Sequence, residues 1–470
     1  MVIGESIGTT DVAIIGAGPG GYTAAIRLAE LGKKVTIVDR ESTGGVCLHH
    51  GCIPTKALIH AAELYQEFNR AKEMGITFDN LRIDYSKTRQ WKQKIVDGLD
   101  TGIKTLLKHH KINLIKANAF FESSNKVALR NESEHLDINA LEFKKCIIAI
   151  GSKEREITGV KIDGTRIITS NEALELDTLP SSLLIIGGGY IGIEISQMMA
   201  KFGVNVIIVE ALPTILNLLD EEFSALVAKQ LKKFGAEIYC NAKVESSIAG
   251  NNSVKTIVNT PEGKKEFQTE KVLVAVGRVP STQDLELDNT KVELDVKGFI
   301  KVDEKFQTAD SRIHAIGDVI GGVMLAHKAS FEAKIVAEII AGKRSAFDNF
   351  IPYAIFSDPE IAGVGLSEKE AKQKGIKYDI KTFNSATLAK VKILGGEGCI
   401  FKVLFDENKN ILGVHIAGPR SADIIGEAVL AIEMGATLDD LALIIHPHPT
   451  VVEGYGELAD AATGFPTNSL

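Results

Sequence analysis

An α/β fold of about three domains is predicted by the length, the composition and an internal repeat of the chain. The chain has 470 residues, and domains of roughly 150 residues are common, so the length favours about three of them. Apolar residues make up 45% and charged residues 24%, which is typical of globular chains and excludes wholesale disorder. A strand–glycine loop–helix–strand pattern occurs twice, at 11–39 and 183–210. This pattern is typical of parallel sheets covered by helices.

Charge and cysteine content narrow the class of protein. The chain has 53 basic and 61 acidic residues and a net charge of −8, which disfavours a nucleic-acid partner. Five cysteines do not form a secreted disulfide framework. No apolar run approaches the ~18 residues that a membrane helix needs. The first residues, MVIGESIGTTDV, have neither the basic region nor the long apolar region of a signal peptide, so we expect none. We therefore expect no membrane partner and a cytoplasmic location, or the mitochondrial matrix if the source is eukaryotic.

The first repeat is a βαβ unit near the start of the chain. DVAIIG predicts a buried parallel strand, and the loop after it places Gly16, Gly18 and Gly21 in G-x-G-x-x-G spacing. YTAAIRLAELG has a helical pattern, and a second strand, KVTIVD, ends at Asp39.

The second repeat follows the same plan. LLIIG predicts the strand, and GGGYIG places Gly187, Gly189 and Gly192 at the same spacing. IEISQMMAKFG predicts the helix, and NVIIVE ends at Glu210. The first glycine and the terminal acid are 23 positions apart in both copies.

Each glycine of these repeats, and the acid at the end of each, has a physical role in binding a dinucleotide. The first glycine makes a tight turn, the second lets the backbone approach a pyrophosphate, and the third lets helix and strand pack closely. The pyrophosphate lies at the helix N-terminus, where unpaired N–H groups favour negative charge. The terminal acid accepts hydrogen bonds from a ribose diol. The sequence therefore predicts two Rossmann-like dinucleotide-binding domains.

The residues after Glu210 indicate which cofactor the second site binds. NADP sites usually place an arginine there to hold the 2′-phosphate, but Glu210 is followed by ALPTILN, without a basic residue. The carboxylate would repel that phosphate, so the second site is predicted to bind NAD. The first site then requires a different dinucleotide, and FAD is the natural candidate.

Three further segments read as buried strands that end in a glycine turn. They are KCIIAIGS at 145–152, KVLVAVGRVP at 271–280 and SRIHAIGD at 311–318, the last ending in Asp318. Each pattern fits a strand that turns near a cofactor, and it fits equally a sheet edge with a glycine turn.

The cysteine pair in GGVCLHHGCIPTK is the predicted chemical centre. A zinc site would need further ligands, and His49 and His50, lying between Cys47 and Cys52, do not converge easily with them on one ion, so no metal is predicted. A redox-active pair fits better, because the helical segment after Cys52 places both sulfurs near a helix N-terminus, which lowers a thiol pKa.

The helix start at this pair is predicted to be distorted. On an ideal helix an i,i+5 pair has Cα atoms about 8.6 Å apart, whereas a disulfide needs less than about 7 Å. Gly51 and Pro54 are the candidates for the distortion, and Lys56 could place a positive charge beside a flavin or a thiolate. Cys146, Cys240 and Cys399 are expected to be buried apolar filler.

The segment HPHPTVVE near the C-terminus supplies a candidate base. A histidine suits proton transfer from a thiol near neutral pH, and a carboxylate on its other ring nitrogen would fix its tautomer. His448 and Glu453, five positions apart, could form such a pair, although a surface histidine without function fits the same pattern.

Taken together, these motifs resemble the pyridine nucleotide–disulfide oxidoreductases. The matching segments are GAGPGG, GGVCLHHGCIPTK, GGGYIGIE, VAVGRVP, IHAIGDV, LAHKAS and HPHPTVVEGYGE, spread from residue 11 to about 464 in the family's order. The set resembles most the branch that oxidises dihydrolipoamide as the third component of 2-oxo acid dehydrogenase complexes. The resemblance implies FAD and NAD as cofactors, a homodimer and the lipoyl domain of an acyltransferase component as partner.

The resemblance also assigns roles to individual residues. Cys47 would be the thiol that meets substrate, Cys52 the thiol next to the flavin, and His448 with Glu453 the base contributed by the partner subunit. Glu194 would pair with Lys56. The positions that would hold FAD are Gly16, Gly18, Gly21, Asp39, Lys56, Ala119, Asp318 and Ala326. The positions that would form the NAD site are Gly187, Gly188, Gly189, Tyr190, Ile191, Gly192, Glu194, Glu210, Val244, Ala275, Val276, Gly277 and Arg278.

The domain limits expected from this resemblance are 1–150 for the first part of the FAD domain and 151–279 for the NAD domain. Residues 280–350 would complete the flavin side, and 351–470 would form an α+β dimerisation domain.

Some positions depart from the family's usual pattern. His49, His50 and Thr55 stand where it commonly reads C-L-N-x-G-C-I-P-S-K, and Val451 and Val452 stand in the tail motif. Two alternatives stay open: a reductase of another low-molecular-weight disulfide, and a flavin- and NAD-binding redox subunit without turnover.

Overall fold

The computed structural model of the chain describes residues 6–131, 135–396 and 399–465. The first five residues of the N-terminal segment and the last five of the tail TGFPTNSL lie outside the described residues. Contacts divide the chain into two units. The first unit contains Met1–Leu58, Asp84–Arg155 and Gly277–Asp348, and the second contains Ile59–Ile83, Glu156–Val276 and Asn349–Leu470.

The first unit is built on a mixed sheet with the strand order β3-β2-β1-β6-β5-β4, in which β17 also pairs with β6. Its strands are β1 (Ile7–Ile15), β2 (Val35–Asp39), β3 (Asn113–Lys116), β4 (Asn118–Ser123), β5 (Lys126–Arg130), β6 (Ala140–Ile148) and β17 (Ile313–Ala315). A short antiparallel pair, β7 (Ser152–Glu154) with β16 (Arg278–Pro280), belongs to the same unit.

Both faces of this sheet are covered, as the apolar runs of its parallel strands require. On one face β1 and β2 pack against α1 (Pro19–Glu30) and α8 (Ala326–Ile340) through buried side chains such as Ile14, Leu28 and Val336. On the other face, buried side chains of β4, β5 and β6 pack together, among them Phe121 and Phe143. Because β6 pairs on both sides, the strand at 145–152 is central, and the alternative of a sheet edge is wrong for it.

The second unit contains a parallel sheet with the order β11-β10-β9-β15-β8. Its strands are β8 (Ile167–Ile168), β9 (Ser182–Ile186), β10 (Asn205–Val209), β11 (Glu237–Tyr239) and β15 (Lys271–Val274). An antiparallel sheet beside it consists of β12 (Lys243–Ala249), β13 (Val254–Thr260) and β14 (Gly263–Thr269).

The C-terminal part of the second unit is an antiparallel sheet with the order β18-β19-β22-β21-β20 and helices packed on it. Its strands are β18 (Tyr353–Ile355), β19 (Ile361–Gly365), β20 (Asp379–Asn384), β21 (Ile400–Phe405) and β22 (Ile411–Ala417). The predicted fold class, two dinucleotide-binding sheets followed by an α+β domain, is confirmed.

The remaining helices connect or flank these sheets. They are α2 (Gly45–His49), α3 (Cys52–Arg70), α4 (Tyr85–His109), α5 (Ser170–Ala173), α6 (Tyr190–Lys201), α7 (Glu221–Lys233), α9 (Glu368–Lys374), α10 (Ala389–Ile393), α11 (Ser421–Glu433), α12 (Leu438–Ala442) and α13 (Glu453–Thr463). Among the residues that the structure describes, no helix combines the length and apolar character that a membrane crossing requires.

A buried lysine joins separate segments of the second unit. The Nζ atom of Lys402 lies 2.8 Å from Asp220, 2.6 Å from Glu222 and 2.9 Å from Glu368. Although burial alone would lower the pKa of Lys402, its hydrogen bonds to the three carboxylates raise it above its ordinary value. These carboxylates are close enough together to resemble a metal-binding cluster, but the lysine ammonium already supplies their counter-charge.

The two contact units differ from the expected domain limits in two ways. The expected NAD and dimerisation domains both belong to the second unit. Residues 59–83, expected within the first FAD segment, belong to the second unit. The limits near 155, 276 and 348 lie within a few residues of the expected 150, 279 and 350. A sequence pattern marks where strands and helices begin, but it does not show against which neighbour a long helix such as α3 packs.

Candidate active site

The two glycine loops have the same backbone geometry. Gly16 and Gly187, the first glycines of the repeats, have φ values of 104° and 109°, which side chains rarely adopt. A Cβ atom at Gly21 would lie 1.8 Å from the carbonyl oxygen of Gly16, and one at Gly192 would lie 2.1 Å from that of Gly187. The first and third glycines of each repeat are therefore required by turn and packing, as the spacing predicted.

The middle glycines, Gly18 and Gly189, leave room for a ligand. A Cβ atom at either position would meet no other atom within 4 Å, and each glycine is the N-cap residue of the following helix, without a side-chain cap. The positive ends of α1 and α6 therefore have no side-chain cap, and the backbone beside each leaves open space. This arrangement fits a pyrophosphate group at both loops.

The terminal acids are held in equivalent positions. Asp39 accepts hydrogen bonds from the N–H groups of Ala17 at 2.6 Å and Glu41 at 2.8 Å. Glu210 accepts from Gly188 at 2.6 Å and Leu212 at 2.7 Å. Since an ionised carboxylate has about four lone-pair sites, each acid keeps acceptor capacity for a ribose diol.

Burial also affects the charge of the first acid. It raises the pKa of Asp39 above the ordinary value, against the opposing effect of the hydrogen bonds from Glu41 and Ala17. Burial thus disfavours the negative charge of Asp39, and the two backbone hydrogen bonds favour it.

Residues of the predicted FAD site converge only in part. Ala17, Asp39 and Ala117 are adjacent, because the N–H group of Ala117 donates to the backbone oxygen of Asp39 at 2.9 Å. Ala119, the predicted FAD residue, lies in β4, and its side chain is buried in the same core as that of Ala117. The backbone beside Asp39 is that of Ala117, and the assignment of Ala119 to FAD stays a prediction.

Asp318 and Ala326 lie on turns after β17. Asp318 is in the 3₁₀ turn Gly317–Ile320, and Ala326 is the first residue of α8, whose N-terminus has no side-chain cap. Asp318 accepts a hydrogen bond from the hydroxyl of Ser152 at 2.6 Å. Sequence analysis missed Ser152, although it follows the glycine turn at Gly151 in KCIIAIGS.

Most residues of the predicted NAD site lie at the carboxyl edge of the second unit's parallel sheet. Ala275 donates its N–H group to Ile186, and its carbonyl oxygen would lie 2.4 Å from a Cβ atom at Gly187. Val276 packs, partly buried, against the hydrophobic core formed by β9 and β15. Tyr190 and Ile191 are the first residues of α6. Val244 lies in β12, two residues beyond Ala242, whose N–H group donates to the backbone oxygen of Glu210.

Three residues assigned to NAD contacts have positions that the sequence did not reveal. Gly277 and Arg278 belong to the first unit, and Arg278 starts β16. Glu194 is buried in α6 and accepts the N–H group of Phe356 at 3.0 Å. The pairing of Glu194 with Lys56 stays a prediction.

The cysteine pair spans a break between two helices. Cys47 lies in the short helix α2, and Cys52 is the first residue of α3. A Cβ atom at Gly51 would lie 2.9 Å from the carbonyl oxygen of Val46, so this close approach requires glycine. The expected distorted helix start is therefore a complete break, and Pro54 lies in the first turn of a helix, where proline is tolerated.

The thiol chemistry at the break also differs from expectation. Cys47 and Cys52 are present as thiols. Their mutual hydrogen bond and burial raise the pKa of Cys47, while the charge of Lys56 opposes this rise. The expectation that the helix start lowers this thiol pKa is thus wrong for Cys47 in the reduced pair. A thiol kept protonated by its neighbour needs a separate base to take its proton.

His49 has a structural anchor within the motif. Its Nε2 atom lies 2.8 Å from the carbonyl oxygen of Thr43 and therefore donates to it. Thr43 in turn donates to Asp100, which lies 3.9 Å from His49. The side chain of His49 thus fixes the helix that carries Cys47.

The candidate base pair forms as predicted. The Nδ1 atom of His448 lies 2.8 Å from Glu453, whose other oxygen accepts the N–H group of Thr450 at 2.7 Å. Although burial would raise the pKa of Glu453, these two hydrogen bonds lower it. The imidazole itself is 74% exposed, so the Nε2 side of the ring is accessible to a reactant from outside this segment.

Two family models match the chain. The model described as pyridine nucleotide-disulphide oxidoreductase matches residues 10–333, and that described as the dimerisation domain of the same group matches residues 351–459. Curated relatives named dihydrolipoyl dehydrogenase are 41% identical in Geobacillus stearothermophilus, over the whole of both chains, and 40% identical in Bacillus subtilis, over 99% of each. One from Haloferax volcanii is 38% identical over all of both chains.

Solved structures give the same fold. The HOCl-induced flavoprotein disulfide reductase RclA from Escherichia coli, as a Cu(II) complex, is 26% identical with a TM-score of 0.86, covering 96% of this chain and 99% of its own. LpdA from Mycobacterium tuberculosis has a TM-score of 0.89 at 22% identity, with the same coverage of both chains.

Proposed function

Because this chain belongs to the pyridine nucleotide-disulphide oxidoreductase family, we propose that it oxidises dihydrolipoamide to lipoamide with NAD⁺ as acceptor. The resemblance inferred from the motifs is thereby confirmed. The observation that carries the proposal is the pair of facing thiols, Cys47 and Cys52, placed in the same unit as the first dinucleotide loop.

The enzyme uses FAD and NAD as cofactors. FAD supplies a two-electron link between the thiol pair and NAD⁺ when both cofactors are bound. Gly16, Gly18 and Asp39 are the groups that would hold its pyrophosphate and ribose, and Gly187, Gly189 and Glu210 would hold those of NAD.

The substrate half-reaction begins with the Cys47–Cys52 disulfide. One thiol of dihydrolipoamide loses its proton to His448, and the resulting thiolate attacks the sulfur of Cys47. The Cys47–Cys52 bond breaks, and Cys52 leaves as a thiolate. The second substrate sulfur then displaces Cys47 and passes its proton to the departing sulfur. The lipoamide disulfide forms, and the pair is left with a thiol on Cys47 and a thiolate on Cys52, while His448 holds the first proton.

Each residue near this half-reaction has a defined task. Glu453 fixes the tautomer of His448, with the proton on Nδ1 and the free lone pair on Nε2. Lys56, one helical turn beyond Cys52, stabilises thiolate charge, as its effect on the pKa of Cys47 indicates.

The test is a steady-state assay of the purified protein with dihydrolipoamide and either NAD⁺ or NADP⁺, alongside its absorbance spectrum. We expect a yellow protein that reduces NAD⁺ in preference to NADP⁺. A colourless protein, or a flavoprotein that reduces only another disulfide such as glutathione or coenzyme A disulfide, would contradict the proposal.

We propose a homodimer in which His448 of one chain serves the thiol pair of the other. The dimerisation-domain match supports this. Near His448, large apolar side chains are exposed on the single chain, including Leu443, Ile445 and, on α11, Leu430 and Met434. Burial of such side chains stabilises association.

Replacing Ile445, which is 95% exposed, with glutamate is expected to weaken the dimer. A charge would then be buried at an apolar interface, at a cost of several kcal/mol. Sedimentation should show monomer at micromolar concentration, and turnover should fall in parallel, because the base and the thiols would be separated. The control is Val296→Glu, a fully exposed residue of the first unit. Full activity in monomeric Ile445→Glu would refute the shared site.

We also propose that the substrate is carried by the lipoyl domain of an acyltransferase component, in the cytoplasm. The name of the curated relatives supports the lipoyl substrate. Five cysteines in 470 residues do not form the disulfide framework of a secreted protein. Saturable use of an isolated lipoylated domain, at lower KM than free dihydrolipoamide, is the expected result.

Glu210→Ala is expected to reduce the preference for NAD⁺ over NADP⁺ at least tenfold, the change that ~1.4 kcal/mol produces. The substitution removes the carboxylate that would repel a 2′-phosphate and accept a ribose hydroxyl. An arginine added at Leu212 should shift the preference further. The kcat/KM ratio for the two nucleotides measures this effect, with Glu237→Ala as an exposed control. An unchanged ratio would show that Glu210 does not discriminate.

A further inference from the structure

The candidate base His448 lies in a segment without regular secondary structure. Within the described residues 399–465, α12 ends at Ala442 and α13 begins at Glu453, with neither a helix nor a strand between them. The side chain of His448 is 74% exposed, so it is not held by packing. The position of this base relative to Glu453 therefore depends on contacts made by other residues of the same segment.

A second pair of a histidine and a carboxylate anchors the start of this segment. The Nε2 atom of His446 lies 2.8 Å from an oxygen of Glu427, which belongs to α11. An ionised carboxylate only accepts, so the imidazole donates this hydrogen bond. The side chains of His446 and Glu427 are only 8% and 25% exposed. A hydrogen bond that is mostly shielded from water is stronger than one at the surface.

The imidazole of His446 also packs against the helix that carries Glu453. A Cβ atom at Gly456, in the first turn of α13, would lie 3.3 Å from the Nδ1 atom of His446. A side chain at this position would crowd the ring, so the glycine gives the ring its room. His446 therefore lies between α11 and the turn of α13 that begins with Glu453.

The two helices that hold His446 are themselves joined. Tyr455, in α13, is buried in the hydrophobic core, and its hydroxyl donates to the carbonyl oxygen of Ile424 in α11 at 2.9 Å. The end of the segment is anchored as well, because the N–H group of Thr450 donates to Glu453 at 2.7 Å. His448 is thus held between one anchored residue on each side.

The charge of His446 also reaches the carboxylate of the base pair. Burial raises the pKa of Glu453, whereas the hydrogen bonds from Thr450 and His448 lower it, as do the charges of His448 and His446. His446 is therefore close enough to Glu453 to affect its ionisation.

We propose that His446 and Glu427 are positioning residues, which hold the segment so that the Nδ1 atom of His448 stays on Glu453 and its Nε2 atom stays accessible. This inference deepens the proposed function and rests on it, since that function makes His448 the base. His446 and Glu427 take no proton from the substrate, and both act through His448. The first histidine–carboxylate pair thus sets the geometry of the second.

The test is stopped-flow reduction of the FAD-containing enzyme by dihydrolipoamide at about pH 7 and about pH 9, on either side of the ordinary thiol pKa. His446→Leu makes no hydrogen bond, so we expect the rate at the lower pH to fall about tenfold or more, because a slightly misplaced catalytic group loses much of its effect. At the higher pH the loss should shrink, since more of the substrate thiol ionises without a base. His446→Gln, whose amide can donate to Glu427, should restore most of the rate.

A double-mutant cycle separates positioning from general damage. If His446 acts only through His448, then His446→Leu should have no further effect in the His448→Gln enzyme. Glu427→Leu should resemble His446→Leu in both backgrounds. The matched control is His415→Leu, which removes a buried imidazole that is hydrogen-bonded elsewhere in the same unit. It should lower thermal stability without changing the ratio of the rates at the two pH values.

A crystal structure of the His446→Leu enzyme tests the positioning without a substrate. We expect the contact between the Nδ1 atom of His448 and Glu453 to be lost in it. Loss of this contact in a protein that does not oxidise dihydrolipoamide would refute the substrate and retain the positioning. The inference is overturned if the contact persists, if the rate at the lower pH is unchanged, or if the effects of His446→Leu and His448→Gln are additive.

Discussion

Cys52→Ser is expected to reduce dihydrolipoamide oxidation below detection and to remove the long-wavelength absorbance of the two-electron-reduced enzyme. A serine hydroxyl forms no disulfide with Cys47 and does not ionise to a comparable nucleophile, so the electrons of the substrate have no acceptor. The readouts are NADH formation and the spectrum of the enzyme after reduction with one equivalent of dihydrolipoamide.

The control for Cys52→Ser is Cys240→Ser, which changes a partly buried thiol of the second unit. It should keep both turnover and the absorbance band. Cys47→Ser should also lose turnover, but it keeps Cys52 and therefore separates substrate attack from contact with the flavin. Full turnover in Cys52→Ser would end the dithiol mechanism.

His448→Gln is expected to lower kcat for dihydrolipoamide by about 10²–10⁴-fold, the usual contribution of a general base. The glutamine can still hydrogen-bond to Glu453 but accepts no proton. The residual rate should rise with pH, because the substrate thiol must then ionise without help. Stopped-flow reduction of the enzyme measures this dependence. The pH is varied over about 6–9, a range that includes the ordinary thiol pKa of about 8.5.

Glu453→Gln should cause a smaller loss that pH does not repair. The pKa of Glu453 is lowered from its ordinary value of 4.5, so this carboxylate is ionised at every pH above 4.5. Its charge is therefore present throughout the working range, and removing it weakens the base equally at every pH there. His109→Gln, a residue at the end of α4, is the control for loss of an imidazole. A wild-type pH profile in His448→Gln would show that another group is the base.

The sequence predicted the local geometry of both dinucleotide loops, including the acid at the end of each second strand. It also predicted the helix that follows Cys52 and the pairing of His448 with Glu453. These features succeed because each depends on residues within about 30 positions of one another, as βαβ units do. Spacing along the chain then fixes spacing in the structure.

Features formed by distant segments were decided only by the tertiary structure. Ser152 meets Asp318 across 166 positions and Arg278 across 126, and no spacing rule connects them. The same holds for Ala117, whose N–H group donates to the backbone oxygen of Asp39, and for the burial that contributes to the raised pKa of Cys47. Packing brings such groups together, and the burial, charges and hydrogen bonds that it creates shift the pKa of an ionisable side chain.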